Sequence, residues 1–185
     1  MLKKTFLTFE RVFITVGTTE FNELIFSLDN SAFVDRLVEA QCKEFSLQIG
    51  RGEYPRKLPE LCNSAGIVYD CFRFKPDLCE EMKRSHLIIS HCGAGSILEA
   101  LEMKKPLIVV VNSSLQGDHQ RELSDALAVD GHCLTTSLSQ FQGVFWKVVS
   151  KEISLESFLK PFSQADYDLF PAAIDSLFKQ QESYS

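Results

Sequence analysis

The fold is decided by the sequence Leu87-Ile88-Ile89-Ser90-His91-Cys92-Gly93-Ala94-Gly95-Ser96-Ile97-Leu98-Glu99-Ala100-Leu101. It passes from an apolar, β-branched run through two glycines into a segment with apolar residues at helical spacing. This pattern predicts a strand, a tight turn and a helix over residues 96–104. A turn of this kind places unpaired backbone N–H groups at a helix start, where they can bind a diphosphate. The stretch therefore predicts an α/β unit with an anion-binding turn.

The same alternation of strand and helix patterns extends along the chain in both directions. Further strands are predicted at residues 12–16, 45–49, 67–69 and 107–111, and helices around residues 21–28, 32–40, 61, 78–84 and 119–129. The strands are continuous apolar runs, which is typical of a parallel sheet covered by helices on both faces. We therefore predict an α/β fold with a doubly wound, Rossmann-like parallel sheet. After Thr135 the pattern is helical, with a break at Pro161.

Composition restricts the class of protein. The chain has 185 residues, 45% of them hydrophobic, which predicts one globular domain. Its longest aliphatic run, residues 107–111, is far shorter than the roughly 20 residues of a membrane span. A net charge of −6 disfavours nucleic acid as a partner. Six widely spaced cysteines without a C-x-x-C pair predict free, buried thiols, so we expect a cytoplasmic protein without a metal site.

Three loops are candidates for a functional site, because ligands of open parallel sheets bind beyond the carboxyl ends of the strands. They are Gly17-Thr18-Thr19-Glu20, His91-Cys92-Gly93-Ala94-Gly95-Ser96 and the polar run Asn112-Ser113-Ser114-Leu115-Gln116-Gly117-Asp118-His119-Gln120. The second loop has two structural alternatives, a plain tight turn and a capping box from Ser96 to Glu99. In the third loop, Asp118 is equally suited to capping a helix.

Other enzyme classes find little support in the sequence. Leu98 stands where a dinucleotide-binding fingerprint needs its third glycine, so binding of NAD is only weakly supported. The sequence contains neither a P-loop nor a G-x-S-x-G motif. His91 and Cys92 are adjacent at a strand end, where their side chains point in opposite directions, so they form a poor nucleophile pair.

Taken together, these loops resemble one family. Residues 13–19, 87–101 and 105–112, followed by Gly117-Asp118-His119-Gln120, are similar in sequence and order to the UDP-sugar-binding subunit of eukaryotic dolichyl-diphosphate N-acetylglucosaminyltransferase, a protein like the C-terminal domain of glycosyltransferase family 28. The resemblance covers roughly residues 11–141. It implies the fold of the C-terminal half of a two-domain GT-B glycosyltransferase.

The resemblance also implies a role for individual residues. The turn Gly93-Ala94-Gly95-Ser96 would hold the diphosphate, with Gly17 and Thr18 opposite it, and Glu99 would bind the ribose hydroxyls. The uracil would lie beside Phe74, Lys75 and Leu78. The sugar hydroxyls would be bound by Asn112, Asp118, His119 and Gln120.

The implied reaction transfers GlcNAc from UDP-GlcNAc to GlcNAc-diphosphodolichol with inversion, without a metal or cofactor. A membrane-anchored partner subunit would bind the acceptor and hold the chain on the cytosolic face of the endoplasmic reticulum. The partner would also supply the general base, His91 being the only local candidate. A non-catalytic UDP-sugar-binding regulatory module is the alternative. We expect residues 11–150 to form the binding domain and residues 151–185 a helical tail that packs on that domain or on the partner.

Overall fold

The computed structural model describes residues 6–112 and 131–154. The strands are β1 (Arg11–Thr15), β2 (Glu44–Gln48), β3 (Val68–Phe72), β4 (Leu87–His91), β5 (Leu107–Val111) and β6 (Leu134–Ser137). The helices are α1 (Asn22–Leu28), α2 (Ser31–Glu39), α3 (Leu58–Ser64), α4 (Cys79–Arg84), α5 (Ala94–Glu102) and α6 (Leu138–Val149). No helix in these two ranges is both long enough and apolar enough to span a bilayer.

The strands form one parallel sheet in the order β3-β2-β1-β4-β5-β6. β1 is central: Thr15 lies opposite Gln48 of β2 on one side and opposite Ser90 of β4 on the other. The direction in which the chain adds strands reverses between β1 and β4, which makes this point the topological switch of the sheet. A crevice for a ligand is therefore expected between the loops that follow β1 and β4.

Each face of the sheet has its own apolar core. The larger core contains a group of aromatic rings, with Phe33 5.6 Å from Phe45 and 5.7 Å from Phe145 between ring centroids. The smaller core, on the face covered by α4 and α5, includes Phe13, Met82 and the first turns of α5. Because both faces of β1, β4 and β5 are buried, these strands are largely apolar, and the prediction of a doubly wound α/β fold is confirmed.

Two local predictions were wrong. The segment after Cys133, predicted as helix from Thr135 onward, first forms the edge strand β6, whose Thr135 and Thr136 pair with Val109 and Val110. The helix after the glycine turn begins at Ala94 rather than Ser96. The helix predicted at residues 119–129 and the tail from residue 155 lie outside the described residues.

The segment before β1 packs on the domain. Phe9 is fully buried, and its N–H donates to the carbonyl of Ala40 at 2.8 Å. The N–H of Leu7 donates to the carbonyl of Val149 at the end of α6, also at 2.8 Å. Residues 6–9 thus join the ends of α2 and α6.

Candidate ligand-binding site

A cavity of about 320 Å³ lies at the carboxyl ends of β1 and β4. Its walls come from the loop after β1, the loop between β3 and α4, and the turn between β4 and α5. Eleven of the residues predicted for the site line it: Gly17, Thr18, Phe74, Lys75, Leu78, His91, Gly93, Ala94, Gly95, Ser96 and Glu99. Three segments that are far apart in the sequence therefore meet at the predicted switch point.

The loop after β1 is fixed by a buried hydroxyl group. The N–H of Gly17 donates to Oγ1 of Thr15 at 2.9 Å, and Thr15 in turn donates to Oε1 of Gln48 at 2.6 Å. Gly17 has a φ of +61°, a conformation that favours glycine. The chain can therefore turn sharply out of the strand and present Gly17 and Thr18 to the cavity.

The turn after β4 presents a helix N-terminus to the cavity. Gly93 is the N-cap of α5, in an extended conformation, and no side chain caps the helix. Ser96 is the third residue of the helix, so the structure excludes the alternative of a capping box from Ser96 to Glu99. The first N–H groups of α5 and the positive end of its dipole are thus available to an anionic group.

His91 fills the space between the two glycine turns. A Cβ atom at Gly17 would lie 2.6 Å from Cε1 of His91, and one at Gly93 would lie 2.3 Å from Nε2. The side chain is buried, and burial lowers the pKa of His91 to about 4, which the nearby Thr15 backbone offsets only in part. Among the described residues, no atom meets the geometry of a hydrogen bond to Nδ1. The imidazole at the floor of the cavity is therefore neutral at physiological pH.

Glu99 stands on α5 at the rim of the cavity. Burial is the main cause that raises the pKa of this carboxyl group, and the negative charges of Asp77 and Glu102 raise it further. Hydrogen-bond donors on a ligand would stabilise the ionised form of such a carboxyl group, and the hydroxyl groups of a sugar are donors of this kind.

The structure differs from the sequence prediction in what else surrounds the cavity. Asn112 is buried at the end of β5 but does not line the cavity, and Asp118, His119 and Gln120 lie outside the described residues. Four lining residues were missed: Thr19, Gln48, Pro76 and Asp77. The sequence offered no signal for Gln48, whose place in the cavity depends on the pairing of β2 with β1. Within residues 6–112 and 131–154, no three His, Cys, Asp or Glu side chains are placed to share a metal ion.

The fold and the cavity define an α/β protein with an anion-binding turn at the switch point of a parallel sheet. Residues 11–140 match the model of the glycosyltransferase family 28 C-terminal domain. The chain therefore belongs to this family, as the resemblance in sequence implied.

Two curated relatives are named UDP-N-acetylglucosamine transferase subunit ALG13. The human protein is 40% identical over 121 residues, which are 65% of this chain and 10% of that protein. The protein of Yarrowia lipolytica is 35% identical over 123 residues, which are 66% of this chain and 62% of that protein. The aligned part of the chain thus spans less than two thirds of either relative.

Solved structures show the same fold. The solution structure of an ALG13 protein superposes with a TM-score of 0.64 at 21% identity, covering 92% of this chain and 98% of that one. The crystal structure of MurG from Acinetobacter baumannii superposes with a TM-score of 0.59 at 16% identity, covering 81% of this chain and 43% of that one. The chain therefore has the fold of the C-terminal half of a GT-B glycosyltransferase, as predicted.

Proposed function

We propose that this chain binds UDP-GlcNAc and is the donor-binding subunit of a transferase that adds GlcNAc to GlcNAc-diphosphodolichol. The observation that carries the proposal is the cavity at the switch point, into which the uncapped N-terminus of α5 opens. Membership of glycosyltransferase family 28 and the names of the relatives support a nucleotide-sugar donor.

The donor is expected to lie across the cavity in a defined direction. Its diphosphate binds at the turn Gly93–Ser96, opposite Gly17 and Thr18, where N–H groups and the helix dipole offset its charge. Its ribose binds Glu99, and its uracil lies beside Phe74, Lys75 and Leu78. Its GlcNAc extends towards Asn112, Asp118, His119 and Gln120.

The proposed reaction is a single displacement with inversion. An acceptor hydroxyl oxygen bonds to C1 of GlcNAc while the bond from C1 to the diphosphate oxygen breaks, and a general base takes the hydroxyl proton. The N-terminus of α5 stabilises the charge that develops on the leaving UDP. His91 was the only local candidate for the base. Since it is buried beneath the two glycine turns, we place the base on the partner subunit.

The partner is proposed to be membrane-anchored, to bind the lipid-linked acceptor, and to hold this chain on the cytosolic face of the endoplasmic reticulum. The cavity is not enclosed by the described residues, which leaves room for a second domain to complete a cleft. The apolar residues Phe170, Ile174, Leu177 and Phe178 recur at helical spacing in the tail, and we propose that they contact the partner or the domain itself.

A reconstitution experiment tests the proposal. The full chain is titrated with UDP-GlcNAc, and transfer to a GlcNAc-diphospholipid is then measured with and without the co-purified membrane subunit. We expect binding by the chain alone and transfer only with the partner. Strong transfer by the pure chain would overturn the split-enzyme arrangement, and binding without transfer in the complex would favour a regulatory module.

A further inference from the structure

The segment 74–78 forms one wall of the cavity, and Leu78, at its end, packs against the smaller apolar core. It connects β3 to α4, and Phe74, at its start, is 53% exposed. All five of its residues line the cavity. Since Leu78 holds only the end of this segment in place, polar contacts are needed to hold its start.

Those contacts converge on Lys75. Its ammonium group donates to Oδ2 of Asp70 at 3.0 Å and to Oε1 of Glu81 at 2.6 Å, and it lies 3.9 Å from the centre of the Phe72 ring. Asp70 and Glu81 do not line the cavity. Lys75 therefore contributes to the wall while its charged end is held behind it.

Glu81 connects this anchor to the centre of the sheet. Its second oxygen accepts a hydrogen bond of 2.7 Å from Nη2 of Arg11, the first residue of β1. Burial alone would raise the pKa of Glu81, but the hydrogen bonds from Lys75 and Arg11 lower it below its usual value. Glu81 is thus an ionised, mostly buried carboxylate bound by two cations from different parts of the fold.

We propose that Lys75 and Glu81 form a clamp that holds segment 74–78 in the shape needed to recognise the nucleobase of the ligand. Glu81 is a positioning residue in this arrangement, since it acts on the ligand only through Lys75. The inference rests on the proposed function, in which this wall faces uracil. It assigns part of the nucleotide affinity to a carboxylate outside the cavity.

The test compares two neighbouring glutamates on α4. Glu81→Gln removes one of the two carboxylate charges that hold Lys75, whereas Glu80→Gln changes a side chain that is 78% exposed and that, among the described residues, pairs with Lys83 at 3.4 Å. The full chain is titrated with UDP, and isothermal calorimetry measures the Kd and the stoichiometry. We expect the Kd of the Glu81→Gln variant to rise roughly three- to tenfold with unchanged stoichiometry, and that of Glu80→Gln to stay at the wild-type value. A merely structural role would lower the stoichiometry rather than raise the Kd.

If the Glu81→Gln variant does not fold, variants at Lys75 test the clamp instead. They leave Glu81 in place, so its hydrogen bond with Arg11 is kept. We expect Lys75→Met to weaken binding of UDP and Lys75→Arg to preserve it. Equal Kd values for wild type, Glu81→Gln and Lys75→Met would overturn the clamp. Failure of the wild-type chain to bind UDP or UDP-GlcNAc would instead overturn the proposed function.

Discussion

The imidazole of His91 occupies the space that a side chain at residue 93 would need, since a Cβ atom there would lie 2.3 Å from its Nε2. The glycine turn at residue 17 also packs against this imidazole, since a Cβ atom there would lie 2.6 Å from Cε1. The histidine therefore requires both glycines, whereas the backbone conformation requires glycine only at residue 17.

Gly93→Ala should lower the free energy of unfolding by about 1–3 kcal/mol, the usual cost of overpacking a filled site. Gly95→Ala is the matched comparison, because a Cβ atom at this helical position meets nothing within 4 Å. An alanine there should stabilise the fold slightly or leave it unchanged. Urea unfolding measures both, and equal stabilities of the two variants would contradict the packing argument.

The buried His91 should make the fold sensitive to acid. Its pKa is about 4 in the folded chain and 6.5 in the unfolded chain, so between these values the unfolded state binds more protons. Stability should therefore fall as the pH is lowered from 6.5 to 4, by about 3 kcal/mol when the titration is complete. Unfolding in urea at several pH values should show a smaller pH dependence for His91→Gln than for the wild type.

Glu99→Gln should weaken binding of UDP by about tenfold, because a charged hydrogen-bond acceptor for the ribose is lost. Its melting temperature should not change, since Glu99 takes no part in capping α5. Glu102→Gln, on the same helix but away from the cavity, should bind UDP like the wild type. A fall in melting temperature of Glu99→Gln with unchanged affinity would contradict the ribose-binding role.

Asp29→Ala should destabilise the chain by about 1–2 kcal/mol. The carboxylate of Asp29 accepts hydrogen bonds from the N–H groups of Arg56, Lys57 and Leu58 at 2.7–2.9 Å, and so holds the start of α3 against the end of α1. Asp35→Ala, on the exposed face of α2, is the control and should change stability little. Thermal unfolding measures the stability of both variants. Similar melting temperatures would show that the hydrogen bonds to the Asp29 carboxylate do not stabilise the fold.

The sequence predicted the sheet well because each buried strand leaves a continuous apolar run. It failed at β6, where Leu134 and Thr135 are only half-buried at the edge of the sheet and so leave a weak apolar signal. The start of α5 was misplaced for a different reason. Ser96 and Glu99 have the spacing of a capping box, which suggests that the helix begins at Ser96. However, β4 ends at His91 and Gly93 is already the N-cap of α5, so the helix begins before Ser96.

The candidate site was predictable only where its residues lie in strand-end loops with glycine or hydroxyl side chains. Gln48 was missed because its role depends on β2 lying beside β1, a neighbourhood that the order of residues does not reveal. Glu81 was missed because it acts behind the cavity wall through Lys75. Pairings between distant parts of the chain thus set the limit of the sequence prediction.

The central position of β1 affects how the chain folds during synthesis. β1 leaves the ribosome first, yet its two neighbours, β2 and β4, are made later, and the second of them is complete only at His91. Until then its apolar residues lack one of their two partner strands, so this segment is the one most in need of protection by chaperones. Pausing of translation before β4 has left the ribosome should prolong that exposure, whereas pausing after that point should have little effect.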